Sequence, residues 1–160
     1  MKFFKPDFEL HHFSDITKEW LEKNNVQTIF SDLDSTLATH DQPGDDELID
    51  WIQMLKNNGV QLVIASNNSQ GRVDRFCEPH GIIGFGKCKK PSASEVRKHM
   101  NTLGAKDDTT LFLGDQLFTD IWCGKNVGIR TVLVNPIGQE HEPIQIVFKR
   151  KIENWIKKRW

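Results

Sequence analysis

The sequence has little of what marks secreted, membrane or metal-binding cysteine proteins. Its cysteines are few, odd in number and without the spacing of a metal site or redox motif: Cys77, Cys88 and Cys123. We therefore expect reduced thiols, as in a cytosolic protein. No apolar run approaches the length of a membrane span, and Lys5 and Pro6 break the apolar start before it could form a signal peptide. The sequence thus predicts a cytoplasmic protein.

Excess charge of one sign is also missing from the chain as a whole. The formal net charge of the 160 residues is −1, which argues against a general nucleic-acid binder. The distribution is uneven, however, because residues 149–160 hold six lysines and arginines against one glutamate, a net charge of +5, and leave −6 on the rest. We therefore predict a core of residues 1–148 and a basic C-terminal helix of residues 149–160.

Helical and strand patterns alternate along the chain, without internal repeats or low-complexity linkers. Apolar runs predict strands at 26–31, 60–65, 82–85, 109–113 and 131–134. Helical spacing and capping residues predict helices at 14–24, 45–58, 69–80, 92–103 and 119–127, the fourth opened by a capping box of Ser92 and Glu95. This alternation predicts a single α/β domain, a doubly wound, Rossmann-like parallel sheet with right-handed crossovers.

Two carboxylates follow the first predicted strand. Asp32 and Asp34 would emerge at the carboxyl edge of the sheet, where open α/β proteins bind ligands. Alternate residues of an extended backbone point the same way, so both acids could share one site. Because two acids repel each other, a divalent cation between them is expected. A solvated turn is the alternative for this motif taken alone.

Polar residues also follow three later segments of the predicted sheet. Ser66 and Asn67 follow the second strand and Lys90 follows the third, while Asp115 and Asp120 follow the fourth. Together they provide the groups for phosphoryl transfer through an aspartyl-phosphate. Ser66 could hydrogen-bond the phosphoryl oxygens, and Lys90 could supply a fixed positive charge. Asp34 could protonate the leaving oxygen and later activate water.

These motifs resemble the four motifs of the haloacid dehalogenase superfamily, in the order Asp32-x-Asp34-x-Thr36, Ser66, Lys90, and Gly114-Asp115 with Asp120. The resemblance implies that Asp32 is the nucleophile and Asp34 the acid/base. It also implies Mg²⁺ held by Asp32, the Asp34 backbone carbonyl and Asp115, with Asp120 supporting the metal. We expect the phosphate to be bound by Thr36, Ser66, Asn67 and Lys90.

The segments 65–68, 89–91 and 114–120 are similar to the YqeG-type subfamily, which is related to phosphatidylglycerophosphate phosphatases. Ser35 departs from the Asn expected in that subfamily, although it leaves the catalytic positions intact.

The predicted loops have no room for the cap domain that many superfamily members carry. Residues 37–59 hold a loop and one helix, and residues 67–89 hold one helix and a short strand. An open site suits a phosphate presented on something large, such as a lipid headgroup at a membrane, a phosphoprotein or a nucleic-acid end. Among these we expect a lipid headgroup, such as that of phosphatidylglycerophosphate. The alternatives are soluble nucleotide or sugar phosphates, or a phospho-accepting signalling module.

The C-terminal residues bear on the choice between a lipid substrate and a soluble one. Phe148, Ile152, Trp155 and Ile156 would share one face of a helix whose other positions are rich in lysine and arginine. This pattern is typical of a peripheral helix on an anionic membrane surface. A helix packed on the protein's own sheet is the alternative.

Overall fold

The computed structural model describes residues 4–160, which form one domain around a parallel six-stranded sheet. The strands are β1 (Phe8–Glu9), β2 (Thr28–Ser31), β3 (Gln61–Ala65), β4 (Ile83–Phe85), β5 (Thr110–Gly114) and β6 (Arg130–Leu133). Their order in the sheet is β1-β6-β5-β2-β3-β4. The central strands β2, β3 and β5 are almost entirely buried, as expected of parallel strands covered on both faces.

Helices cover both faces of the sheet. They are α1 (Lys18–Lys23), α2 (Asp46–Asn57), α3 (Gln70–Cys77), α4 (Ser94–Leu103), α5 (Trp122–Val127) and α6 (Ile144–Lys157). Because side chains alternate along a strand, Ile29 packs in the cluster with α1, α2 and α3, whereas Phe30 packs in the cluster with α4 and α5. The predicted doubly wound α/β fold is therefore confirmed.

The order of the strands creates one switch point. The chain passes from β2 outward through β3 to β4, and then returns to place β5 on the opposite side of β2. Residues 32–36 follow β2 and residues 115–120 follow β5, so both segments lie at the carboxyl edge beside this point. Open α/β sheets bind ligands at this kind of crevice.

No cap domain interrupts the chain between residues 4 and 160. Only a loop and α2 separate the first motif from β3, and only α3, a short 3₁₀ turn and β4 separate β3 from Lys90. The predicted capless core is thus confirmed. Within the same residues, no helix combines the length and the apolar character needed to cross a membrane. All three cysteines are buried free thiols.

Several local predictions differ from the structure. Thr17, not Ser14, caps α1, and Ser14 lies in a 3₁₀ turn capped by His12. The predicted capping box at Ser92 does not form, since α4 begins at Ser94 without a side-chain cap. The predicted helix 119–127 is a π-helical turn, Leu117–Ile121, followed by α5. The strand β1 was not predicted, because two residues at a sheet edge carry no detectable period.

The C-terminal helix is longer than predicted and has two distinct faces. It begins at Ile144, and its inner face buries Arg150, Glu153 and Ile156 against the body. Ile156 therefore does not belong to an exposed stripe as predicted, because it packs with Leu117 and Leu133. The outer face exposes five apolar side chains: Ile144, Val147, Phe148, Ile152 and Trp155. The division of the chain at residue 148 stays a prediction.

Candidate active site

Asp32 and Lys90 form the centre of the candidate site. Asp32 follows β2 directly and is buried, as is Lys90. The Lys90 ammonium donates to Asp32 Oδ1 at 2.9 Å and to Asp120 Oδ1 at 2.7 Å. One lysine thus joins the carboxylate after β2 to a carboxylate in the turn after β5.

The π-helical turn brings Asp120 to this site. Its Oδ2 accepts hydrogen bonds from the backbone N–H groups of Asp115 and Gln116, each at 3.1 Å, and its side chain is fully buried. The carboxylate lies so close to β5 that a Cβ atom on Gly114 would come within 2.4 Å of it. Glycine at 114 is therefore required by the close approach of Asp120.

Asp115 is held from two sides. Thr36 Oγ1 donates to its Oδ1 at 2.6 Å, and the Arg150 guanidinium donates to its Oδ2. The expected role of Thr36 in binding phosphate stays a prediction, because in this structure its hydroxyl hydrogen-bonds to Asp115. The Arg150 guanidinium reaches this carboxylate from α6.

The charged groups of the site strongly perturb one another. Burial, followed by repulsion from Asp120, raises the pKa of Asp32 well above its usual value, although Lys90 opposes the shift. The same two causes raise the pKa of Asp115 to about 6, against the effect of Arg150. Burial disfavours the charged form of Lys90, but Asp120 and Asp32 outweigh it and raise the pKa of Lys90. Such clustered shifts are typical of functional sites.

The three aspartates fit a divalent cation. One oxygen each from Asp32, Asp115 and Asp120 can be chosen so that all three lie within 4.8 Å of one another. Four carboxylates lie in this group, those of Asp32, Asp115, Asp120 and Glu142. Their ion pairs with Lys90 and Arg150 compensate two of the four negative charges and leave two uncompensated. A single divalent cation would balance this excess, and carboxylate oxygens are the ligands that Mg²⁺ and Mn²⁺ prefer.

Asp34 lies beside this cluster but interacts with different groups. Its Oδ1 accepts from Arg72 at 2.9 Å and from the backbone of Asp41 at 2.9 Å, while its Oδ2 accepts from Asn68 at 3.0 Å. Burial raises the pKa of Asp34, but these hydrogen bonds outweigh it, and the net shift is downward. Its side chain is not part of the three-aspartate cluster.

Ser66 and Asn67 organise the loop that carries Lys90. Ser66 is buried and its hydroxyl accepts from the backbone N–H of Asn68 at 3.0 Å. The Asn67 amide donates to the Lys90 carbonyl at 2.9 Å and accepts from the Lys90 N–H at 2.7 Å. Asn67 therefore holds Lys90 in place, and the direct contacts of both residues with phosphate stay predictions.

Sequence reasoning missed Arg72, Arg150 and Glu142. Each looks like an ordinary surface charge in the sequence, yet the side chains of Arg72, Arg150 and Glu142 are only 6%, 9% and 1% exposed. For Arg150, the sequence predicts an exposed side chain, because nothing in it distinguishes Arg150 from the other basic residues of the C-terminal segment. For Arg72, the Arg–Asp contact spans 38 residues and leaves no local pattern.

The comparisons with known proteins agree with this geometry. Residues 9–134 match the family described as haloacid dehalogenase-like hydrolase. The probable phosphatase YqeG of Bacillus subtilis is 36% identical over 156 residues, or 97% of this chain and 90% of that protein. A phosphatidylglycerophosphate phosphatase 1 of Arabidopsis thaliana, chloroplastic/mitochondrial, is 37% identical over 76 residues, but these cover only 46% of this chain and 21% of that protein.

A solved structure supports the fold. The cobalt-bound deoxy-D-mannose-octulosonate 8-phosphate phosphatase YrbI of Haemophilus influenzae matches with a TM-score of 0.54 and 17% identity. The match covers 74% of this chain and 83% of that one, and at this identity it shows the fold alone. From the family match and the near full-length relative, the chain belongs to the haloacid dehalogenase-like hydrolases, and within that family it is a phosphatase.

Proposed function

We propose that this phosphatase is a Mg²⁺-dependent phosphomonoester hydrolase that forms an aspartyl-phosphate on Asp32. The observation that carries the proposal is the buried group of Asp32, Lys90, Asp115 and Asp120 at the switch point of the sheet. Asp32, Asp115 and the backbone carbonyl of Asp34 would hold the cation, with Asp120 in support. When bound, Mg²⁺ would neutralise charge on the transferring phosphoryl group.

The protein's own residues account for the remaining chemistry. A carboxylate oxygen of Asp32 attacks phosphorus and displaces the ester oxygen, which takes its proton from Asp34. Asp34, now a carboxylate, removes a proton from water, and this water cleaves the acyl-phosphate to release phosphate and regenerate Asp32. Lys90 supplies a fixed positive charge beside Asp32 in both steps. To act as the acid, Asp34 must hold a proton despite its contact with Arg72.

We further propose that the substrate is a phosphate on a lipid headgroup, as in phosphatidylglycerophosphate. The capless sheet edge leaves the approach to the site without a lid domain. A cavity of about 380 Å³ lies between α6 and the ends of β5 and β6, bordered by Asp115 and Arg150. Its lining also includes polar groups suited to a hydroxylated or anionic headgroup: Asn135, Gln139, Asn154 and Lys157.

The outer face of α6 supports a membrane-bound substrate. Phe148 is 66% exposed and Trp155 is 50% exposed, and Arg159 stacks on the Trp155 ring at 3.7 Å. Burial of Arg150 and Glu153 removes one charge of each sign, so the remaining charged side chains of the C-terminal segment still sum to +5. A contiguous apolar face with basic neighbours fits an anionic bilayer surface. A cytoplasmic location, peripheral to the membrane, follows from this proposal.

The experiment compares wild type and Asp32→Asn on two substrates, a phosphatidylglycerophosphate in anionic vesicles and para-nitrophenyl phosphate in solution. Asp32→Asn should lose roughly a thousandfold or more of the rate on both, since an amide cannot form the acyl-phosphate. EDTA should abolish the wild-type activity and added Mg²⁺ should restore it. Near-normal activity of Asp32→Asn, or activity unaffected by EDTA, would contradict the mechanism.

The substrate class is decided by the same assay. We expect the wild type to prefer the lipid phosphate over a panel of soluble nucleotide and sugar phosphates. A higher kcat/KM on a soluble phosphate would instead support the soluble-substrate alternative. The hydrolase family already favours turnover over a lasting phosphoryl mark, so the signalling-module alternative has no support of its own.

A further inference from the structure

Glu142, just before α6, and Arg150, on α6, form a buried pair at the edge of the three-aspartate cluster. Arg150 Nε donates to Glu142 Oε1 at 2.7 Å, and Arg150 Nη2 donates to Glu142 Oε2. The same guanidinium donates through Nη2 to Asp115 Oδ2 and through Nη1 to the Asp115 carbonyl at 3.3 Å. Arg150 therefore connects Glu142 with both the side chain and the backbone of Asp115.

The pair is also tied to the first motif. Ser35 Oγ donates to Glu142 Oε2 at 2.9 Å, and the Ser35 carbonyl accepts from the Ile137 N–H at 2.8 Å. Thr36, the next residue, holds the other oxygen of Asp115. The Asp115 carboxylate is thus fixed between the loop after β2 on one side and α6 on the other.

We propose that Glu142 and Arg150 are positioning residues that orient Asp115 for the divalent cation, which makes the C-terminal helix part of the active site. The inference rests on the proposed function in so far as Asp115 is a metal ligand. Hydrogen bonds to a ligating carboxylate limit its rotation, and loss of such a partner costs roughly 10- to 100-fold in metal affinity or activity. Glu142 would act by keeping the guanidinium in the one orientation that reaches Asp115.

A purely electrostatic role makes a different prediction. Arg150 carries a positive charge next to the cluster, so removing that charge alone would strengthen binding of a cation. Glu142 carries a negative charge, so removing that charge alone would weaken it. Positioning instead requires both partners, and loss of either one should weaken binding. The signs of the two effects therefore separate the explanations.

The experiment measures Mg²⁺ binding in full-length Arg150→Gln, Glu142→Gln and Arg150→Lys proteins. The readouts are the rise in melting temperature with added MgCl₂ and the Mg²⁺ concentration that gives half-maximal hydrolysis of para-nitrophenyl phosphate. We expect both glutamine variants to need roughly 10- to 100-fold more Mg²⁺. Arg150→Lys should recover part of the loss, because its ammonium group can still donate a hydrogen bond to Asp115 but makes fewer of the contacts.

Ile156→Val provides the control within α6. Ile156 packs in an apolar cluster with Leu117 and Leu133, and valine keeps the apolar character of the side chain, so the variant should melt earlier without a change in the Mg²⁺ requirement. Tighter Mg²⁺ binding in Arg150→Gln, or unchanged binding in both glutamine variants, would overturn the inference alone. A wild type that Mg²⁺ neither stabilises nor activates would overturn both the inference and the proposed function.

Discussion

Asp32 and Asp34 are separated by one residue, yet their surroundings shift their pKa values in opposite directions. Burial and the neighbouring Asp120 raise the pKa of Asp32, whereas hydrogen bonds from Asn68, Asp41 and Arg72 outweigh burial and lower that of Asp34. Without a cation these shifts oppose the proposed roles, because the nucleophile Asp32 must be charged and the acid Asp34 must hold a proton. A bound divalent cation would favour the charged nucleophile at Asp32.

Asp34→Asn should affect substrates according to their leaving groups. An alkyl phosphate needs a proton on its leaving oxygen, so we expect phosphoenzyme formation to slow by roughly 100- to 10,000-fold. Para-nitrophenolate leaves without a proton, so its release should be affected much less. Since the variant also lacks the base for the second step, a stoichiometric burst of para-nitrophenol should appear in stopped-flow absorbance. An equal fall in the rate of phosphoenzyme formation with both substrates would argue against the acid role of Asp34.

Glu153 provides a prediction about pH and stability. Burial raises its pKa from 4.5 to about 7, against hydrogen bonds from the backbone N–H groups of Phe118 and Leu117. Because the folded state holds this proton more tightly than the unfolded state, the free energy of unfolding falls as pH rises from about 4.5 to about 7. A shift of this size is worth roughly 3 kcal/mol. Urea unfolding of Glu153→Gln, compared with wild type without added metal, should show a smaller loss of stability over this range.

The control for this measurement is Glu78→Gln, at an exposed position outside the site. Its pH dependence should follow that of the wild type. If Glu153→Gln also followed the wild type, the carboxyl group would not be protonated in the folded state near neutral pH.

The sequence predicted most of the residues that meet at the site, but not the network around them. Asp32, Lys90, Asp115 and Asp120 could be recognised because each directly follows a strand or its turn. Arg72 and Arg150 could not, since their partners lie 38 and 35 residues away. Only the packing of α3 and α6 against the sheet edge brings these guanidinium groups to the aspartates.

At the scale of elements, the π-helical turn after β5 depends on a small residue at its base. Gly114→Ala would place a methyl group within 2.4 Å of the Asp120 carboxylate, so Asp120 or the turn must shift. We expect a loss of roughly 1–3 kcal/mol in stability, the usual cost of overpacking. The contact of Asp120 with Lys90 should weaken as well, so the rate of hydrolysis should fall.

Gly104→Ala is the matched control for this substitution. Gly104 ends α4 with a φ of +69° and has open space around it, so alanine there would cause backbone strain but no steric clash. We expect roughly 1 kcal/mol of destabilisation and no change in the rate per folded molecule. Equal effects of both variants on thermal melting and on the rate would show that the turn tolerates the methyl group.

Long helices and strands with a clear pattern of apolar residues were predictable from the sequence, and short or irregular elements were not. The apolar spacing of α2 and the continuous apolar run of β3 predicted both elements to within a few residues. The π-helical turn was predicted as ordinary helix, because no local sequence signal marks its wider hydrogen bonds, such as that from the Ile121 N–H to the Gln116 carbonyl. The helix α6 was predicted with its inner and outer faces partly confused, since its apolar residues surround much of its circumference.

At the scale of the whole molecule, α6 combines a contact with the candidate active site and an exposed apolar surface. Its inner face contacts the metal-ligand candidate Asp115, and its outer face presents apolar side chains. Deleting residues 149–160 would therefore remove Arg150 and the buried Glu153 together with Ile152 and Trp155 of the exposed face. Such a deletion cannot distinguish a membrane surface from a part of the site, whereas substitutions limited to the outer face can.

The double variant Phe148→Ala/Trp155→Ala tests the proposed membrane surface. Each lost aromatic side chain should weaken partition of the protein into the bilayer surface by roughly 1–3 kcal/mol, so binding to anionic vesicles should fall by at least about thirtyfold. Hydrolysis of lipid phosphate in those vesicles should fall in parallel, while hydrolysis of para-nitrophenyl phosphate should stay within about twofold, because both side chains are exposed on the face of α6 opposite Arg150. Co-sedimentation with vesicles and the two rates are the measurements.

Ile49→Ala supplies the comparison, since Ile49 is 48% exposed on α2 and far from α6 in the sequence. This variant should bind vesicles as the wild type does. Added salt should also weaken the binding of the wild type, because the basic side chains of α6 contribute on the order of 1 kcal/mol each near an anionic surface. Unchanged vesicle binding of the double variant would place the lipid contact elsewhere. If the outer face instead joins two copies of the chain, sedimentation should show a wild-type dimer that the double variant dissociates, and the membrane proposal would then be wrong.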